Sequence, residues 1–164
     1  ERRDDVYFAI GLCYQRLTDY KTAVDCYKKL LEMKRLAPTR QESLAWLYGE
    51  IAYCHYQLSE HEDTLRAIEE ALRENIEKKE ELAELRSFLT NSYQALGRYQ
   101  EAVREGEKTL KISRHFPSLD LMLPNLALSY YHLGNLEQFR FYRNWCNREF
   151  PDRSWTKQLN KLKA

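Results

Sequence analysis

Cys54-His55, with His61 further along the chain, could put a sulfur and imidazole nitrogens near one another, the donor types a metal ion takes. A repeat pattern set out below accounts for Cys54 and His55 as packing positions, so no metal is expected. The other cysteines, Cys13, Cys26 and Cys146, complete no C-x-x-C pair, and their gaps suit neither zinc nor a disulfide framework. His115, beside Phe116-Pro117, sits at a helix end, where a cation complements the helix dipole. The acid-rich run 69–84 reads as a solvated face with Glu–Lys pairs one turn apart. No phosphate-cradling glycine loop, dinucleotide fingerprint, H-E-x-x-H or G-x-S-x-G occurs, and no acid–base pair converges. The expectation is a protein without catalytic residues, metal or cofactor.

The 164 residues fit one domain, and 31% of them are charged, yet the net charge is only +1. No bulk field therefore favours nucleic acid or an acidic membrane. No apolar run approaches the ~18 residues a spanning helix needs, and no signal-peptide pattern opens the chain. The C-terminal lysines lack interleaved aromatics and read as a solvated face rather than a phosphate site. The chain opens at Glu1 without an initiator Met, which suggests a piece of a longer protein.

The elements that must position these residues are set by one stretch, Ser92-Tyr-Gln-Ala-Leu-Gly-Arg-Tyr-Gln-Glu-Ala-Val103. A helical pattern stops at Gly97 and restarts at Tyr99, which makes a helix–turn–helix corner. The same corner recurs at Leu17-Thr-Asp-Tyr20, Leu58-Ser-Glu-His61 and Leu133-Gly-Asn-Leu136. Its turn residues Thr18, Ser59, Gly97 and Gly134 stand 41, 38 and 37 apart, a period that means stacked helix pairs.

Taken in order, Tyr7, Ile10, Gly11 and Tyr14 share one face of a first helix, and Ala23, Tyr27, Leu30 and Leu31 form the face of the second. Pro38 ends that helix, and Thr39-Arg-Gln-Glu42 is a capping-box pattern for the next. The following faces are Tyr48, Ile51, Ala52, His55 with Leu65, Ile68, Ala71, and then Leu89, Thr90, Tyr93 with Ala102, Val103, Leu110. The polar junction 75–81 is either a short break or a nearly continuous helix. Ser118 is the N-cap expected for the fourth unit, and Pro124 predicts a kink or a late start there. Trp155, Leu159 and Leu162 make residues 154–162 an amphipathic cap. The slot Cys13, Cys54, Ser92, Ser129 calls for small residues in close packing, so buried, reduced thiols are expected, as in the cytoplasm.

Slot by slot, the units resemble the tetratricopeptide repeat (TPR) family. The small-residue slot reads Gly11, Ala52, Thr90, Ala127, and the aromatic slot Tyr14, His55, Tyr93, Tyr130. The Leu before the turn reads Leu17, Leu58, Leu96, Leu133, and the Ala slot Ala23, Thr64, Ala102, Phe139, the last too large for regular packing. The resemblance implies an all-α, right-handed superhelical solenoid of antiparallel helix pairs. Residues 1–152 would form four repeats (about 4–37, 45–78, 83–116 and 120–152), with 153–164 as the cap.

First helices of this family line a concave groove that binds peptides. Here the groove positions are Phe8, Leu12 and Gln15; Tyr53 and Tyr56; Phe88, Asn91 and Gln94; Asn125, Leu128, Tyr131 and His132. This set is apolar and aromatic with amides interspersed, and the family's Lys/Asn/Arg clamp for acidic peptide ends is absent, Asn91 alone matching in type. The expected partner is therefore an apolar or amphipathic protein segment. A tighter curl would instead bury Phe8, Leu12, Tyr53 and Leu128 against neighbouring helices. Two alternatives stand beside groove binding: a regulatory domain whose groove is filled by its own chain, and self-association through end faces at Val6 and Phe8.

Overall fold

A computed structural model describes residues 2–36 and 43–163, with side chains from residue 6 onward. All regular structure among the described residues is helical. The helices are α1 (Arg2–Arg16), α2 (Tyr20–Leu36), α3 (Ala45–Gln57), α4 (His61–Ala71), α5 (Lys79–Ala95), α6 (Tyr99–Ile112), α7 (Leu119–His132), α8 (Leu136–Glu149) and α9 (Ser154–Leu159). They form two compact units, Glu1–Glu77 and Lys78–Ala164. In the first, α2 packs on α1 and α3, and α3 on α4. In the second, α5, α6 and α7 pack on one another, α8 packs on α7, and α9 lies against both α7 and α8.

Each corner is the same hydrogen-bonded motif. At the second one, the Ser59 amide donates to Tyr56 O (3.0 Å) and the Glu60 amide to His55 O (2.9 Å), which closes a Schellman turn. The same pair of bonds recurs at Thr18/Asp19, Gly97/Arg98 and Gly134/Asn135. The turn residues Thr18, Ser59, Gly97 and Gly134 all take positive φ, at 62°, 60°, 72° and 75°. The residue after each one also starts the next helix, because the carbonyls of Asp19, Glu60, Arg98 and Asn135 accept from the amides of Ala23, Thr64, Ala102 and Phe139. Those four donors are the Ala slot read from the sequence. Two of the starts are capped by side chains. Asp19 accepts from the Thr22 amide (3.1 Å) and hydroxyl (2.7 Å), and Asn135 accepts from the Gln138 amide (3.1 Å).

The faces meet as the periodicity requires. Ala23, Tyr27, Leu30, Leu47, Ile51, Ala52, Leu65, Ile68 and Ala71 are buried in the first unit. Tyr27 is wholly inaccessible, and a Cβ on Gly11 would stand 2.5 Å from its ring, which is why that slot is glycine. In the second unit Met122, Leu123, Leu126, Phe139, Tyr142, Cys146 and Leu159 form one cluster. Each such Leu or Met is worth ~1.5–3 kcal/mol when fully buried. The large Phe139 is accommodated with no exposure at all. A buried acid and a half-buried one tie α6 to its neighbours. Arg86 pairs with Glu105 at 2.5 Å, and Glu107 accepts from the hydroxyls of Tyr130 (2.9 Å) and Tyr142 (2.5 Å).

Several sequence expectations need correction. Ile10 is 38% exposed and Cys13 is exposed, because no described helix covers the α1 face bearing Val6, Ile10, Cys13 and Leu17. For the same reason Leu17 is 73% exposed, whereas its counterparts Leu96 and Leu133 are 36% and 37% exposed. Cys26 is only partly buried, so the expectation of buried thiols holds for Cys54 and Cys146 alone. Ser118 stands at the N-cap position of α7 without capping it. Its amide and hydroxyl instead donate to the Glu84 carboxylate, at 2.8 and 2.5 Å. Pro124 causes no late start, since α7 begins five residues earlier at Leu119 and runs through it. The polar junction is a break: α4 ends at Ala71 and α5 begins at Lys79. Pro38 and the Thr39–Glu42 capping pattern lie outside the described residues.

Candidate functional site

In the first unit the groove positions of α1 and α3 are half-buried, and their rings rest on neighbouring helices. Phe8 lies 5.1 Å from Trp46, edge to face, and 6.1 Å from Tyr27. Leu12 is half-buried beside it. Gln15 is held by the Tyr27 hydroxyl, which donates to it at 2.6 Å. Tyr53 meets Tyr20 edge-on at 6.2 Å, and Tyr56 meets His61 at 5.6 Å. Burial raises the phenol pKa of both Tyr53 and Tyr56 above 10, so both are neutral donors at neutral pH.

The second unit treats its positions less evenly. Phe88 and Asn91 are buried, at 8% and 2% exposure, so they belong to the packing and offer a partner no surface. The cause is that α5 is flanked by both α6 and α7. Asn125, half-buried, donates to Asn91 Oδ1 at 2.9 Å, an amide pair joining α7 to α5. Gln94 and Leu128 are half-buried, and Leu128 packs against the core cluster. Tyr131 is half-buried 5.1 Å from Phe139, while His132 is exposed and stacks on Tyr99 at 4.4 Å. Tyr131 and His132 touch edge-on at 6.0 Å and form one aromatic pair on the α7 face.

The Cys54–His55–His61 trio does not act together. Burial, with the nearby Glu50 charge second, pushes the Cys54 thiol up to about 12. His55 instead faces Glu60 at 2.5 Å, a contact bridging the corner, with Asp63 the third ligand-type side chain within 4.8 Å. Asp63 is held by Arg66 at 2.6 Å. This is a helix start whose carboxylates already have partners.

One feature of the second unit has no counterpart in the sequence motifs. A cavity of about 550 Å³ opens between the α6–α7 connection and the C-terminal half of α8, and its walls include Arg114, His115, Trp145, Arg148 and Arg153. A second cavity, about 380 Å³, shares Arg114, Trp145 and Arg148 and adds Phe141. These residues lie some thirty positions apart in two groups, and neither group forms a motif by itself. The one available signal is an apolar Phe141 on the outward side of a helix whose inward side is Phe139, Tyr142 and Cys146.

Residues 4–35 match the tetratricopeptide repeat family. No curated protein sequence matches. Among solved structures, BtubC (BKLC) from P. vanneervenii is similar with a TM-score of 0.75 and 16% identity over 98% of this chain and 66% of that one. Two crystal structures of a Podosopora anserina putative kinesin light chain with nearly identical TPR-like repeats, one of them a point variant, also align. The variant gives a TM-score of 0.70 at 15% identity over 96% of this chain and 81% of that one. The other gives 0.67 at 16% identity over 96% and 82%. At these identities the likeness is one of fold: helix pairs arrayed as in TPR-like solenoids, as the four corners predict. No described helix is long and apolar enough to cross a membrane.

Proposed function

We propose that this chain, an array of tetratricopeptide-like helix pairs, is a protein-interaction module that takes an apolar or amphipathic partner segment on its first-helix faces. Repeats of this type generally mediate protein–protein interaction; the assignment to these faces rests on one observation. Tyr53, Tyr56 and Tyr131 are each half-buried, so packing fixes the ring while part of it stays accessible. Large, stiff, amphipathic rings of this kind give contact area at low entropy cost. Gln94, Asn125 and His132 add polar groups near the apolar ones. The role is that of a scaffold rather than a catalyst. All four cysteines are free, which fits a reducing compartment such as the cytoplasm.

Pull-down with the wild-type chain and with Tyr56→Ala/Tyr131→Ala tests this reading. Proteins carrying amphipathic segments should be retained by the first and lost from the second, with the helical circular dichroism unchanged. Equal recovery by both would assign binding elsewhere.

The bare α1 stripe supports a second reading, self-association through that end. Val6 and Leu17 are 54% and 73% exposed, with Ile10 and Cys13 between them. Light scattering should then show a mass that rises with concentration and falls to the monomer in Ile10→Glu/Leu17→Glu.

A further inference from the structure

We propose that the cleft around Arg114 and Trp145 is a second recognition site, independent of the first-helix faces, for a peptide segment carrying a carboxylate flanked by apolar side chains. Three guanidiniums (Arg114, Arg148, Arg153) and the His115 imidazole line the larger cavity, against two carboxylates. Both carboxylates are already matched. Asp120 pairs with Arg153 at 3.0 Å and Glu149 with Arg148 at 2.9 Å. Arg114 has no carboxylate within ion-pair distance among the described residues, and its guanidinium is held 5.7 Å from the centre of the Trp145 ring. A guanidinium over an aromatic face is held by cation–π attraction and can still present N–H donors to a carboxylate in bidentate fashion.

The apolar half of the site is equally specific. Trp145 lines both cavities, and Phe141, one turn before it on α8, is 56% exposed with its ring 6.3 Å away. A residue of that size left on the outside of a helix is the anchor expected of a docking surface. The number of charges decides the class of ligand. With a single unmatched guanidinium, and a net charge of +1 for the chain, the cleft balances one carboxylate; it has no row of cations to follow a phosphate backbone. The occupant is thus an acidic residue set among apolar ones in a partner protein.

The test is an array of immobilised heptapeptides with a central Asp flanked by every pair of apolar residues, each beside its Asn twin, probed with the whole chain. The strongest Asp peptide is then titrated by fluorescence anisotropy. Asp peptides should bind at least tenfold more tightly than their twins. Arg114→Ala should remove that margin, and Phe141→Ala should weaken both twins alike. Tyr56→Ala/Tyr131→Ala should change nothing, which separates this site from the first-helix faces. Arg114 and Phe141 are exposed, and unchanged circular dichroism would verify that their variants fold. No Asp peptide exceeding its twin would overturn the proposal, as would an Arg114→Ala chain that still discriminates. Displacement of the Asp peptide by millimolar inorganic phosphate would also overturn it, by reducing the cleft to a simple anion site.

Discussion

Four corners with one hydrogen-bond pattern but two kinds of turn residue make a controlled experiment. Thr18 and Ser59 sit at φ of 62° and 60°, where glycine occupies the equivalent places at 72° and 75°. A side chain in the left-handed region costs about 1–2 kcal/mol, because Cβ crowds the following carbonyl. Glycine avoids that but gives the unfolded chain more freedom, which returns roughly 0.5–1 kcal/mol. The difference leaves Ser59→Gly stabilising by about 0.5 kcal/mol, and Thr18→Gly by about 1 kcal/mol because Thr is β-branched. Neither hydroxyl makes a hydrogen bond among the described residues, so nothing else is lost. The reverse changes, Gly97→Ala and Gly134→Ala, should lower stability by about 1 kcal/mol. A Cβ at either glycine meets no atom within 4 Å, so the effect is backbone strain alone. Thermal unfolding followed by circular dichroism reads this directly, since ~1 kcal/mol moves the midpoint about 2–4 °C in a chain of this length. An unchanged midpoint for Gly97→Ala, or a lowered one for Ser59→Gly, would refute the strain account of the corners.

Three further outcomes follow from the same structure. Asn135→Ala should cost about 1 kcal/mol in urea unfolding, because it removes the cap on the Gln138 amide, and Asn135→Asp should retain most of it. Ellman's reagent at pH 8 should titrate Cys13 at once, Cys26 slowly, and Cys54 and Cys146 only on unfolding, since burial holds both of the last thiols at about 12. Fast labelling of Cys146 would contradict the packing of α8. Burial raises the Glu50 carboxyl above its ordinary 4.5, with only a Gln15 hydrogen bond opposing the shift. Its ionised form is therefore a penalty to the folded chain, full above the raised folded pKa and gone below the unfolded value. Glu50→Gln should raise the melting midpoint at pH 7 and not at pH 4; an equal gain at both would assign the effect to packing.

The parts of the fold legible from the sequence are those decided within a few residues. A Schellman corner closes between a residue and its neighbour five positions back, so Leu-Gly-Arg-Tyr or Leu-Ser-Glu-His carries all of it. The aromatic slot supplies the carbonyl that accepts the corner's wider bond, and the Ala slot donates the first helical bond of the next helix, which explains why those registers agree. Even the demand for glycine at position 11 is visible as a small-residue slot, though its cause, the Tyr27 ring, comes from the partner helix. Ser118 shows the limit: a residue suited to capping its own helix spends both its donors on Glu84, thirty-four positions earlier.

The binding surface is less legible because exposure depends on how many helices flank each face. Phe8 and Phe88 are both groove positions in the sequence reading, Phe8 in the repeating register of α1 and Phe88 alongside that register on α5. Phe8 has the α2 and α3 rings on one side and stays partly open, whereas Phe88, on a helix packed by both α6 and α7, is closed off. The same reasoning inverts at Ile10, where a core-type residue is left bare because its face has no described neighbour. Periodicity reports which side of a helix is apolar; it does not count what lies against that side. The cleft at Arg114 is the stronger case, since it joins a loop residue to a helix thirty positions away, and its charge balance exists only once Arg153 has claimed Asp120. A function carried by leftover valence, one guanidinium unmatched after all other pairs have formed, is a property of the fold and can be read only there.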